Sequence, residues 1–123
     1  MRRASADFPA DLASAGEARS FVGALCRNWG VPNVLLDAEM VVSELVENAV
    51  RHSHSGCDVM VELAPGTLTI GVSDHGTQPP RLLRPPPDQP GGRGLLLVDT
   101  VSRRWGFEPT RDGKVVWADL AVV

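Results

Sequence analysis

Glu44 and Asn48 stand four residues apart in an apolar stretch with helical spacing. Two side chains so placed share one helix face, a turn apart. A carboxylate there can orient or deprotonate a nucleophile. A side-chain amide oxygen suits Mg²⁺, which prefers oxygen donors and shares them with substrate phosphates. Two glycine-bearing turns follow downstream. Asp74-His75-Gly76 closes an apolar strand. It offers a carboxylate to an exocyclic amine, and Gly76 lets a ligand approach the backbone closely. Gly91-Gly92-Arg93-Gly94 precedes Leu95-Leu96-Leu97-Val98. Glycines before a helix N-terminus expose amides, and the helix dipole favours phosphate there. Each feature alone has a plainer reading: a solvated helix face, a common DxG turn, a linker. Together they supply what a nucleotide site needs. No Gly-Lys-Ser/Thr follows the glycines, and no strand–GxGxxG–helix unit opens the chain, so Walker A and Rossmann sites are excluded.

The elements that must position these residues are legible from periodicity. Ala4 to Phe8 reads as an edge strand. Ser14, with Glu17 three residues on, forms a capping-box pattern for a first helix running to about Trp29. Its expected apolar stripe is Phe21, Val22, Leu25 and Trp29. Gly30 and Pro32 end it. A second helix is expected from Asn33 to Ser53, with Asn33 as N-cap and Val34, Leu35, Ala38, Val41, Val42, Leu45 and Ala49 on its apolar side. Cys57 to Leu63 and Leu68 to Val72 alternate as two strands of a hairpin around Pro65-Gly66. Asp74 continues the inward phase of Leu68, Ile70 and Val72, where a carboxylate is costly unless it binds something. Residues 77–93, with six of the ten prolines, read as a long loop of the lid or binding type. Arg81 and Arg84 in it read as solvated charges. Leu95 to Val101 reads as a short helix, and Trp105 to Pro109 with Lys114 to Leu120 as a closing hairpin. The order predicts an α/β two-layer sandwich, with helices on one face of a mostly antiparallel or mixed sheet, and residues 1–123 forming one domain.

Composition narrows the function classes. The chain has 123 residues, 43% hydrophobic and 22% charged, with net charge −3. That balance argues against direct nucleic-acid binding. No apolar run approaches the ~20 residues that span a bilayer, and no apolar leader follows Met1-Arg2-Arg3, so a cytoplasmic location is expected. Cys26 and Cys57 lack CxxC spacing and read as reduced, partly buried thiols. His52, His54 and Cys57 match no usual zinc spacing. Ser43 and Ser53 lack a nucleophile-elbow context. Trp29, Trp105 and Trp117 read as packing residues.

The order of the motifs is more specific than any one of them. Val42-Ser43-Glu44-Leu45-Val46-Glu47-Asn48-Ala49-Val50-Arg51-His52 resembles the N-box of the GHKL ATPase/kinase superfamily. Asp74-His75-Gly76 with Pro79 resembles its G1 box, and Gly92-Arg93-Gly94-Leu95-Leu96-Leu97-Val98 its G2 box. Gly113-Lys114-Val115-Val116-Trp117 resembles the strand that ends such domains. Within the superfamily the chain is most similar to small stand-alone bacterial anti-sigma-factor serine/threonine kinases. The resemblance covers about Phe8 to Leu120 and implies a Bergerat-type fold that binds ATP with Mg²⁺. By position it implies Asn48 as Mg²⁺ ligand, Glu44 as catalytic base and Asp74 as partner of the adenine amine. It also implies Gly76 beside the base, and Gly92, Arg93, Gly94 and Leu95 at the phosphates. The implied substrate is a serine or threonine of an anti-sigma-factor antagonist, whose binding frees a sigma factor. Such relatives often form homodimers, though no dimer surface is legible. Two departures stand out: Gln78 replaces the second glycine of DxGxG, and Val115 stands near where relatives carry a threonine supporting the aspartate.

A regulatory protein kinase is therefore the leading expectation. A non-catalytic, nucleotide-gated binding module regulating transcription is the alternative, motivated by the long loop, Gln78 and Val115. Phosphotransfer to histidine is disfavoured because the 123 residues carry no dimerisation helix pair with a phosphoacceptor histidine. Clamp-type ATP hydrolysis is disfavoured because no further domain is seen to move.

Overall fold

The computed structural model describes residues 1–76 and 94–122. Five strands form one sheet: β1 (Arg2–Phe8), β2 (Cys57–Ala64), β3 (Thr67–Asp74), β4 (Arg104–Thr110) and β5 (Gly113–Ala121). Their order is β1-β2-β3-β5-β4, and every neighbouring pair is antiparallel. Among the described residues three α-helices, α1 (Ser14–Asn28), α2 (Leu35–Ser53) and α3 (Gly94–Val101), lie on one side. The expected two-layer α/β sandwich is present, with a wholly antiparallel sheet among the described residues. The loop expected at 77–93 lies outside them.

Alternation builds the sheet. Val59 and Val61 of β2, Leu68, Ile70 and Val72 of β3, and Val116, Ala118 and Leu120 of β5 all point inward and are buried. They meet Ala38, Val41, Val42, Leu45, Val46 and Ala49 of α2 in a single cluster. Each fully buried valine or leucine contributes about 1.5–3 kcal/mol, so this face of α2 is anchored along its length.

The two expected helix caps do not form. Ser14 does not cap α1: it is already helical, and its Oγ donates to the Pro9 carbonyl at 2.6 Å. Asp11 instead accepts the Ala13 amide at 2.8 Å. Val22 is buried as expected, but its buried companions on α1 are the small residues Ala15, Ala18, Gly23 and Cys26. Phe21, Leu25 and Trp29 are only partly buried at the margin. Asn33 does not cap α2 either. It sits in a 3-10 turn, Pro32–Val34, because Pro32 fixes the backbone one residue earlier. Ala4 to Phe8 extends back to Arg2 as an edge strand. The chain leaves α2 at His54, left-handed at φ 56°, and turns straight into β2.

Candidate functional site

Helix α2 is held between α1 and α3. Ser43 accepts the Arg19 guanidinium at 2.7 Å, and the Glu39 carboxylate lies against Gly23 of α1. Asn48 follows Glu39 by nine residues, which turns it roughly 180° round the helix. Glu44 and Asn48 are both half-buried, on the flank of α2 turned away from α1. Burial pushes the Glu44 carboxyl above its ordinary value near 4.5; the Glu47 carboxylate adds to the rise and Arg51 opposes it. A carboxyl raised in this way is better matched to accepting a proton near neutral pH.

Asp74 ends β3, in phase with the core as its position predicted, and its side chain is only 2% exposed. Its Oδ1 accepts the Gly76 amide at 2.7 Å and the Lys114 ammonium at 3.0 Å. No described residue donates to its Oδ2. Lys114 is the cross-strand partner of Asp74 on β5, and it too is buried. This corrects the expectation at Val115. That residue pairs with Ser73 and points to the opposite sheet face, where it meets Gly71. The residue facing the aspartate is Lys114, so a cation rather than a hydroxyl supports it. Its phase with Val116, Ala118 and Leu120 was the sequence signal that identifies it as inward.

The last turn of α2 reaches this point. A Cβ on Gly76 would lie 2.9 Å from Lys114 Nζ, 3.0 Å from Asp74 Oδ1 and 3.1 Å from Ser53 Cβ. A side chain at Gly76 would therefore have to displace the Lys114 ammonium and press on the Asp74 carboxylate and Ser53. Ser53 donates to the Ala49 carbonyl and contacts Ser55 Oγ at 3.0 Å; Ser55 Oγ in turn accepts the His75 amide at 3.4 Å. The strand end and the helix end are thus tied by hydroxyls. Rising ~1.5 Å per residue, α2 places Asn48 roughly 7 Å and Glu44 roughly 13 Å along the axis from Ser53.

Of the expected phosphate-binding residues, Gly94 opens α3 and Leu95 is buried in it. Gly92 and Arg93 lie outside the described residues, as does Gln78. A cavity of about 410 Å³ opens at the sheet end, lined in part by Asp7, Cys57, Asp58, Asp74, His75 and Asp112. Glu44, Asn48 and Lys114 do not line it, so it shares only the Asp74 end with the flank of α2. Burial, Asp74 and Asp7 push the Cys57 thiol up to about 11, which leaves it protonated and a poor nucleophile. Both cysteines are buried and free. His54 and Cys57 join no metal cluster among the described residues.

The tightest constraint on Asp74 comes from its neighbour strand. A Cβ on Gly113 would overlap the Asp74 carbonyl oxygen and come within 2.7 Å of His75 Cα. Gly113→Ala is therefore expected to cost about 3 kcal/mol, the upper end for overpacking, in urea unfolding. It should also weaken any ligand held by Asp74.

An antiparallel sheet covered on one face by helices, with a buried aspartate at the end of its central strand and a glutamate–asparagine pair one turn apart on the adjoining helix, defines a GHKL-type nucleotide-binding domain. Residues 8–120 match the model of the histidine kinase-like ATPase domain, and the chain belongs to that family. An uncharacterized protein of Streptomyces coelicolor is 31% identical over 85 residues, covering 65% of this chain and 81% of that one. The crystal structure of the RsbU and RsbW domains of Rv1364c from Mycobacterium tuberculosis matches with a TM-score of 0.76 at 19% identity. That match covers 99% of this chain and 33% of the other, so the chain spans about a third of its length. No helix among the described residues is long and apolar enough to cross a membrane.

Proposed function

We propose that this protein is an ATP-dependent serine/threonine kinase of the anti-sigma type, acting on an anti-sigma-factor antagonist. The observation that carries the reading is the line of groups along α2. Asp74 and Gly76 meet the end of the helix at Ser53, and Asn48 and Glu44 follow up the flank turned away from α1. An extended nucleotide laid on that flank has its base at Asp74 and its terminal phosphate near Glu44. The likeness to a structure containing an RsbW domain supports the anti-sigma assignment.

In this reading Asp74 Oδ2, which has no donor among the described residues, accepts from the base amine. Gly76 leaves room for the ring. Gly94 and Leu95 hold the phosphates from the start of α3, together with Gly92 and Arg93, the residues before them in sequence. Asn48 offers a neutral oxygen to Mg²⁺. Among the described residues no group of three acidic or histidine side chains surrounds it, so the donor set fits an ion that arrives with the triphosphate. When bound, Mg²⁺ neutralises charge on the phosphates. Glu44 takes the proton from the substrate hydroxyl as its oxygen bonds to the γ-phosphorus and the bridging bond to ADP breaks. The product is a phosphoserine or phosphothreonine, with ADP released.

The test is a phosphotransfer assay with Mg·ATP and a panel of anti-sigma-factor antagonists, read by intact mass. The reading expects one added phosphoryl group on a serine or threonine. ATP binding without any phosphoprotein would instead favour the nucleotide-gated binding module, in which the antagonist or a sigma factor is held but not modified.

A further inference from the structure

Lys114 is a buried ammonium with donors that no described residue takes. Its residue is 6% exposed, and its one described partner is Asp74 Oδ1 at 3.0 Å. An ammonium carries three N–H donors, so two have no partner among the described residues. Leaving such donors unmade in a buried place is costly, and a buried ion pair is by itself a weak source of stability. The position is also specific. Nζ lies at the junction of β5, the end of β3 and the last turn of α2, 2.9 Å from where a Gly76 Cβ would stand.

The pair presents one acceptor beside one donor. Asp74 Oδ1 already receives the Gly76 amide and Lys114, which fills both of its lone pairs. Only Oδ2 remains to accept. Beside it, Lys114 has N–H groups to give. The complement is a planar edge with a single N–H next to a lone-pair ring nitrogen. A 6-aminopurine has that edge in its exocyclic amine and N1. A 2-amino-6-oxopurine offers two adjacent N–H donors and needs two free oxygens, which Asp74 does not have.

Resting on the reading of this site as an ATP site, we infer that Lys114 is a specificity-determining residue. Its ammonium donates to purine N1 while Asp74 Oδ2 accepts from the 6-amine. Adenine is thereby read on two atoms by a carboxylate–ammonium pair, and guanine is rejected.

The experiment is equilibrium binding of ATP, 1-deaza-ATP and GTP, each with Mg²⁺, to the wild type and to Lys114→Met. A hydrogen bond from a charged donor is at stake, so 1-deaza-ATP should bind the wild type at least about tenfold more weakly than ATP. GTP should be weaker than ATP by a similar factor. Lys114→Met should bind ATP and 1-deaza-ATP about equally. If ATP binds the wild type and 1-deaza-ATP binds as tightly, the inference about Lys114 is overturned while the ATP site stands. If ATP itself does not bind, both fail. The wild-type comparison decides the matter even if Lys114→Met does not fold.

Discussion

Asp74→Asn is expected to destabilise the protein by about 3 kcal/mol and to abolish its stabilisation by Mg·ATP. The first effect follows from the buried pair. Asp74 and Lys114 side chains are 2% and 8% exposed, and the amide that replaces the carboxylate leaves the ammonium without a counter-charge. Removing one partner of a buried ion pair costs about 3–5 kcal/mol. The lower end applies because the amide oxygen still accepts from the Gly76 amide. For a chain of this size the loss corresponds to a fall in Tm of roughly 10 °C. The double variant Asp74→Asn/Lys114→Met should recover part of it, since no charge is then buried alone. The second effect follows from Oδ2. The wild type should gain about 2.7 kcal/mol at Mg·ATP one hundredfold above its dissociation constant. The variant should gain none at the same concentration. Thermal unfolding with and without Mg·ATP measures both. A destabilised variant that keeps the full nucleotide shift would make Asp74 structural only.

Glu44→Gln should lower phosphotransfer by roughly 10²–10⁴, the contribution of a positioned general base, with ATP affinity unchanged. The pH dependence carries the same assignment. Glu44 must be ionised to accept the proton, so the wild-type rate should rise with pH through its raised native value. Stability should move the other way. Because the native value lies above the ordinary one near 4.5, the folded state holds the extra proton between them. Stability contributed by this group is therefore present at acid pH and lost as pH rises through the native value. Glutamine is uncharged throughout, so Glu44→Gln should be more stable than the wild type at neutral pH. The difference should shrink toward acid pH. Undiminished phosphotransfer by the variant would remove Glu44 from the chemistry.

Several of these residues were legible in the sequence because they obey local rules. Alternation on β3 placed Asp74 inward before any contact was known. The four-residue spacing of Glu44 and Asn48 fixed their common face. The hairpin of β2 with β3 was marked by Pro65-Gly66, and that of β4 with β5 by the paired runs Trp105 to Pro109 and Lys114 to Leu120. The misreadings have physical causes. Ser14 and Asn33 look like helix caps, but Pro9 takes the Ser14 hydroxyl and Pro32 starts a 3-10 turn at Asn33. The expected stripe of α1 followed its large residues, of which Val22 is buried, whereas the rest of its buried side is made of small residues such as Ala18 and Cys26. Lys114 was missed for a different reason. It meets Asp74 across two strands forty residues apart in sequence, and that register depends on the whole sheet. Val115, the position to which the resemblance points, is one residue away, and a one-residue change of register moves a side chain to the other face.

The most direct test of the central claim is a titration of isotope-labelled protein with Mg·ATP, followed by NMR at the Gly76 backbone amide and the Asn48 side-chain amide. The account predicts that both signals shift together and saturate at one dissociation constant, because one nucleotide spans from the end of β3 to the flank of α2. Saturable binding that moves neither signal would place the nucleotide elsewhere and contradict the account.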